Sequence, residues 1–247
     1  MITTTSMENV QIIIQARMTS TRLAGKVLLP LCNSTVLQVM LQRLNEFKDH
    51  IVIATTNDGS EAPIVELCKK NKIKYYQGST EDVLSRYYEA ATLFGATDDT
   101  TIVRLTSDCP LIDPQLTRQV IEKHRQSQYD VVNLGPHSGY PRGLDCTAFS
   151  YQLLKKTHLL ATSAPDREHV TLGMAKFCSI STYSFAEGES LDHWRLTLDE
   201  PDDYTAIKAI YAQFGDNLDF SYLELKKQLK EKPELTDINK HVSQKTV

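Results

Sequence analysis

Val10-Gln11-Ile12-Ile13-Ile14-Gln15-Ala16-Arg17-Met18-Thr19-Ser20-Thr21-Arg22-Leu23-Ala24-Gly25-Lys26 is the stretch that decides the reading of this chain. Its first six residues, Val10–Gln15, form a short β-branched run that stops at a polar residue, the pattern of a strand buried on both faces. Residues 16–31 then bring Arg17, Arg22, Lys26 and Pro30 without a clean apolar period, which predicts a loop with at most one helical turn. A buried strand running into a loop with three cations, three hydroxyls and a glycine can wrap a polyphosphate. Backbone N–H groups line the concavity and Arg and Lys neutralise the charge. The loop is neither a Walker A motif, since Val27 stands where Ser or Thr is needed, nor a G-x-G-x-x-G fingerprint. On residue types alone a solvated basic loop fits equally well.

Working outward, the chain alternates strand and helix. Residues 51–54, 74–76, 101–105 and 129–133 read as strands, and residues 35–47, 62–71, 82–94 and 114–126 as helices. This alternation predicts an α/β fold, a mostly parallel sheet flanked by helices on both faces, with ligands at the carboxyl ends of the strands. In the second half, residues 144–149, 178–184 and 194–198 are expected as strands, and residues 151–161, 165–177, 201–214 and 222–232 as helices. The organisation expected is a polar N-terminal extension over 1–9, one domain over 10–232 and a polar, frayed tail over 233–247.

The bulk composition narrows the function classes. The 247 residues suit one α/β domain, and 41% hydrophobic with 23% charged residues argues against disorder. A formal charge of -4 gives no reason to expect a nucleic-acid surface, so any substrate phosphate must be met by local cations. Five cysteines at 32, 68, 109, 146 and 178, with no C-x-x-C pair, point to reduced thiols in a cytoplasm and away from a disulfide framework or zinc site. No apolar stretch approaches a membrane span, and residues 1–9 lack a signal-peptide run.

Two further clusters follow expected strands. Arg104-Leu105-Thr106-Ser107-Asp108-Cys109-Pro110-Leu111-Ile112-Asp113-Pro114 places Asp108 at the sheet's binding edge, where it suits either a turn or Mg²⁺, a cation satisfied by one or two carboxylates plus phosphate oxygens. Asp113 reads as the cap of the helix begun by Pro114. Trp194-Arg195-Leu196-Thr197-Leu198-Asp199-Glu200-Pro201-Asp202-Asp203 offers Asp199 as a second metal ligand, while Asp202 and Asp203 complement a helix dipole. Weaker signals are Pro141-Arg142-Gly143-Leu144-Asp145, Arg167-Glu168-His169-Val170, and the capping run around Gly78-Ser79-Thr80-Glu81-Asp82, where Ser79 and Arg86 could face a nucleotide.

These runs, in this order over residues 10–214, resemble the spore-coat-polysaccharide-type cytidylyltransferases, relatives of the synthetases of CMP-linked sialic acid and Kdo. The resemblance implies a GT-A-like nucleotide-diphosphosugar transferase fold. It implies nucleotide contacts at Gln15, Ala16, Arg17, Ser20, Arg22, Lys26, Thr55, Thr56, Ser79, Arg86 and Thr106, with Arg17, Lys26 and Asp108 catalytic. It implies Mg²⁺ on Asp108 and Asp199, and an acceptor near Arg142, Asp145, Arg167 and His169. CTP and a sugar or sugar-acid acceptor are the implied partners, with a homodimer formed around residues 134–149. The chain departs from the family at Ala24, where Pro is usual, at Ser107, where Gly is common, and at Thr147, where an acid is frequent. A glycosyltransferase on the same fold and a non-catalytic nucleotide-binding partner are the alternatives.

Overall fold

A computed structural model describes residues 7–135 and 138–244. Its strands are β1 (Val10–Gln15), β2 (Pro30–Leu31), β3 (Ser34–Thr35), β4 (Ile51–Thr56), β5 (Lys74–Gly78), β6 (Thr101–Thr106), β7 (Val131–Leu134), β8 (Cys146–Ser150) and β9 (Thr182–Ser184). The helices are α1 (Val36–Arg43), α2 (Ala62–Asn71), α3 (Val83–Leu93), α4 (Pro114–Gln126), α5 (Tyr151–Leu160), α6 (Ala164–Glu168), α7 (Met174–Phe177), α8 (Pro201–Gln213), α9 (Tyr222–Glu231) and α10 (Glu234–Asp237). A seven-stranded sheet runs in the order β5-β4-β1-β6-β8-β7-β9, and β2 and β3 form a separate small hairpin. Strands β5, β4, β1 and β6 are mutually parallel. Only β8 is reversed, pairing antiparallel with β6 and β7, while β9 runs parallel to β7.

The apolar run in β1 has no alternation because both its faces are covered. Ile12 and Ile14 pack with Leu37 and Met40 of α1 and Val120 of α4. Ile13 on the opposite face packs with Leu84, Tyr87 and Ala91 of α3 and Leu154 of α5. From β1 the chain moves outward to β4 and β5, then returns to β6 on the other side of β1. The carboxyl ends of β1 and β6 therefore flank a topological switch, where open sheets of this kind bind ligands.

Three segments differ from the sequence expectation. The helix expected over 165–177 breaks into α6 and α7, with buried Val170 between them at φ 47. Val170 and Thr171 are β-branched and Gly173 is a poor helix former, so this stretch holds a helix weakly. Left-handed backbone is costly for a β-branched residue, and here it bends the chain toward the mouth of the sheet. Residues 194–198 are not a sheet strand. They run extended across loop ends, with a single bridge between Arg142 and Arg195. The segment after 232, expected to fray, packs back: Leu235 and Asn239 are buried. Cys32, Cys68, Cys109, Cys146 and Cys178 are all free thiols, and no helix of the described residues is long and apolar enough to cross a membrane.

Candidate active site

The loop after β1 is fixed by its own backbone. Ala16 N–H donates to Ala54 O at 3.1 Å, and Gly25 N–H closes the loop onto Met18 O at 2.9 Å. One 3₁₀ turn, Lys26–Leu28, follows and aims the Lys26 side chain across the sheet edge. Lys26 Nζ lies 3.0 Å from Asp108 Oδ2, 2.8 Å from Asp199 Oδ1 and 2.7 Å from Leu198 O. Asp108 reaches this point just past β6, where Ser107 N–H donates to Gln15 O at 3.1 Å. Ser107 is absent from the residues with left-handed φ, so the serine sits on backbone open to any residue.

Asp199 is delivered by the extended segment that precedes α8. Leu196 N–H donates to Arg142 O and Leu198 N–H to Asp108 O, both at 2.8 Å. The Thr197 hydroxyl adds a bond to Asp108 O at 3.3 Å. Gly143 makes this crossing possible: a Cβ there would meet Leu196 C and O at 2.4 Å, and its φ is 106. Only glycine meets both demands.

Cations saturate the carboxylates at this edge. Asp199 also pairs with Arg22 at 2.9 Å and with Arg195 at 3.1 Å. Arg195 is itself held by Asp203 at 2.8 Å, and Asp203 Oδ2 accepts the N–H groups of Asp199 and Glu200 at 2.9 Å. Asn239 from the C-terminal segment donates to Asp203 Oδ1 at 2.8 Å and to Arg195 O at 2.9 Å. Burial pushes the Lys26 ammonium toward neutrality, but Asp108 and Asp199 outweigh it and raise its pKa above the usual lysine value. Burial likewise pushes Asp108 upward, yet Lys26 and Thr106 hold its carboxyl below the usual range.

Two carboxylates thus converge on one ammonium. No group of three or more His, Cys, Asp and Glu gathers among the described residues, here or elsewhere, so protein side chains would supply only two ligands. A divalent ion here would take Asp108 and Asp199 and complete its shell with phosphate oxygens, the donor set Mg²⁺ prefers.

Beside this cluster opens a cavity of about 730 Å³. Gln15, Ala16, Arg17, Ser20, Arg22, Lys26, Arg86, Thr106, Asp108, Arg142, Asp145, His169 and Asp199 all line it. Thr55, Thr56, Ser79 and Arg167 do not. Thr55 and Thr56 are fully buried at the end of β4, their hydroxyls without a hydrogen-bond partner. Ser79 accepts from Asp82 N–H in the turn before α3. Arg167 is consumed structurally, donating to Asp82 at 2.6 Å and to the carbonyls of His158 and Ala161. Arg86 is 1% exposed, donates to Ser79 O at 2.9 Å, and its Nε has no partner. Burial, and then the like charge of Arg17, lowers its pKa. Gly78 leaves room for it, since a Cβ there would meet Arg86 Cγ at 2.8 Å. A buried guanidinium without a carboxylate is a standing site for an anion.

Sequence reasoning missed Arg104, Asn133, Thr182 and Gln244 as lining residues, and marked Thr147 only as a departure from the family. The one available signal was Arg104, a charge inside an otherwise apolar strand.

The Cytidylyltransferase family model matches residues 11–191. The chain belongs to the cytidylyltransferase family. The spore coat polysaccharide biosynthesis protein SpsF of Bacillus subtilis is 31% identical over 92% of this chain and 97% of its own. A cytidylyltransferase structure from Leptospira borgpetersenii superposes with a TM-score of 0.86 at 30% identity, covering 97% and 98% of the two chains. A CMP:2-keto-3-deoxy-manno-octonic acid synthetase structure shares the fold, with a TM-score of 0.63 at 18% identity over 83% of this chain and 99% of its own. The cytidylyltransferase assignment covers β1 to the start of the 191–199 segment. Asp199 and its supporting tail lie beyond the matched residues.

Proposed function

We propose that this cytidylyltransferase moves CMP from CTP to a sugar acid or related acceptor, releasing pyrophosphate, in surface polysaccharide biosynthesis. The observation that carries the reading is Lys26 Nζ bridging Asp108 and Asp199 at 3.0 and 2.8 Å beside a basic loop. An acceptor oxygen attacks the α-phosphorus in line, and the bond to the β,γ-pyrophosphate breaks. Catalysis of such transfers is mostly positioning and charge stabilisation.

Arg17, exposed on the loop and without an ion pair among the described residues, faces the triphosphate together with Arg22 and Lys26. These cations meet the charge that grows on the leaving pyrophosphate. Arg86 binds the nucleotide's anionic side. Asp108 and Asp199 would hold Mg²⁺, which would supply charge neutralisation at the phosphate oxygens. Arg195, fixed by Asp203 and Asn239, keeps Asp199 aimed at the site. Arg142, Asp145 and His169 face the acceptor. The name of the SpsF relative supports the polysaccharide role. Free thiols support a cytoplasmic setting. A homodimer built on residues 134–149 belongs to the same reading; residues 136–137 of that segment lie outside the described residues.

Pyrophosphate release with CTP, UTP, ATP and GTP, each with Mg²⁺ and a panel of sugar acids and sugar phosphates, tests this. CTP-dependent release with one acceptor class is expected. Release with another nucleotide alone would overturn the assignment of CTP.

A further inference from the structure

The cavity extends from the Lys26 cluster over the sheet face that bears Ile13, where polar residues line it beyond the part packed by α3 and α5. Cross-strand register places Arg104 of β6 opposite Thr147 of β8, and Thr147 opposite Asn133 of β7. Thr182 of β9 lies opposite Val131, on the same face as Asn133. Paired residues on adjacent strands share a face, and all four line the cavity. The side chains of Asn133, Thr147 and Thr182 have no hydrogen-bond partner among the described residues.

Arg104 is the charge in this floor. Among the described residues its side chain makes one hydrogen bond, a long one from Nη2 to Gln15 Oε1 at 3.5 Å, and its Nε is buried without a partner. Arg142 adds a second cation; of the carboxylates that act here, Asp108 is already paired with Lys26, which leaves Asp145, whose Oδ2 accepts Gly143 N–H at 2.8 Å. Two guanidiniums against one carboxylate leave a surplus of positive charge. A guanidinium that is partly buried and kept without a salt bridge has a desolvation cost that an incoming anion offsets. The Thr and Asn side chains around it match the hydroxyls of a sugar.

We propose that Arg104 is the specificity-determining residue for an anionic acceptor: it binds the negatively charged group of a polyhydroxylated substrate, whose hydroxyls meet Asn133, Thr147 and Thr182. The inference rests on the cytidylyltransfer reading above. One surplus positive charge favours a carboxylate, and a phosphate monoester shares the same chemistry.

The test measures pyrophosphate release from CTP by wild type, Arg104→Gln and Arg104→Lys. Acceptors are 3-deoxy-manno-octulosonate, N-acetylneuraminate and glucuronate, their methyl esters, glucose 1-phosphate, and neutral sugars. The active acceptor is expected to be an anion. Its KM should rise about 100-fold in Arg104→Gln, the scale of losing a buried charged partner. The KM for CTP should be unchanged, with partial rescue in Arg104→Lys and lost preference of acid over ester. The carboxylate and phosphate arms name the source of the charge. An unchanged acceptor KM in Arg104→Gln, turnover with neutral sugars alone, or silence of every anion while CTP still raises the melting temperature would each overturn the proposal. Failure of CTP to stabilise the wild-type protein would instead sink the cytidylyltransfer reading.

Discussion

The two ends of the cavity treat charge in opposite ways. At the carboxyl edge of β1 and β6, Asp108 and Asp199 are met by Lys26, Arg22 and Arg195, each within 3.1 Å. On the walls and floor, Arg86 and Arg104 are buried at Nε with no partner there, and neither forms an ion pair with a described carboxylate. The first region holds its carboxylates on the protein's own ammonium, where the proposed function puts a cation. The second leaves two guanidiniums without a carboxylate partner among the described residues. Paired charges stabilise the fold without ligand, whereas unpaired ones cost stability that ligand restores.

That contrast is open to direct attack. Asp108→Ala removes a carboxylate that the mechanism needs, so turnover should fall about 1000-fold with the fold retained. Near-normal pyrophosphate release would remove Asp108 from the chemistry. Lys26→Met leaves two carboxylates facing each other, and denaturant unfolding should show a loss of about 3 kcal/mol. Added Mg²⁺ should recover more stability in this variant than in wild type. Arg86→Met should do the reverse. Its ligand-free stability should hold or rise, while calorimetric affinity for CTP should drop about 30-fold, the scale of a lost charge-assisted bond. A large loss of stability without ligand would show that Arg86 serves the fold.

The smallest effect concerns Asp145. Burial raises its pKa, more than Gly143 N–H and Arg142 lower it. A carboxyl with a raised folded pKa costs stability once pH climbs past its unfolded value of about 3.9, and the full cost is present above the folded pKa. Asp145→Asn should therefore raise the melting temperature by about 2 °C at neutral pH and leave it unchanged near pH 3. An equal gain at both pH values would contradict the burial account.

Much of this was legible in the sequence because local chemistry and global fold agree there. Strands β1, β4 and β6 announce themselves as largely apolar runs, since a parallel strand covered on both faces needs no alternation. The cationic loop and Asp108 were likewise visible, being contiguous with those runs, and Asp199 stood out before the helix that Pro201 begins. What was hidden depends on tertiary pairing. Residues 194–198 have strand composition, yet their backbone partners are the Arg142 and Asp108 loops. Val170 breaks a helix that spacing alone would continue. Asn239 looks like a polar tail residue but is buried against Asp203. The floor of Arg104, Thr147, Asn133 and Thr182 comes from four strands scattered along the chain, and only register unites them. Arg167, conspicuous in sequence, spends its donors on Asp82 and two carbonyls instead.

The central claim is that Lys26 keeps the place of a cation between Asp108 and Asp199. A crystal structure of the protein with CTP and Mn²⁺, read by anomalous scattering, tests it most directly. The account expects the metal on both carboxylates with Lys26 Nζ moved onto the triphosphate. A metal bound elsewhere, with Lys26 still bridging the two aspartates, would contradict it.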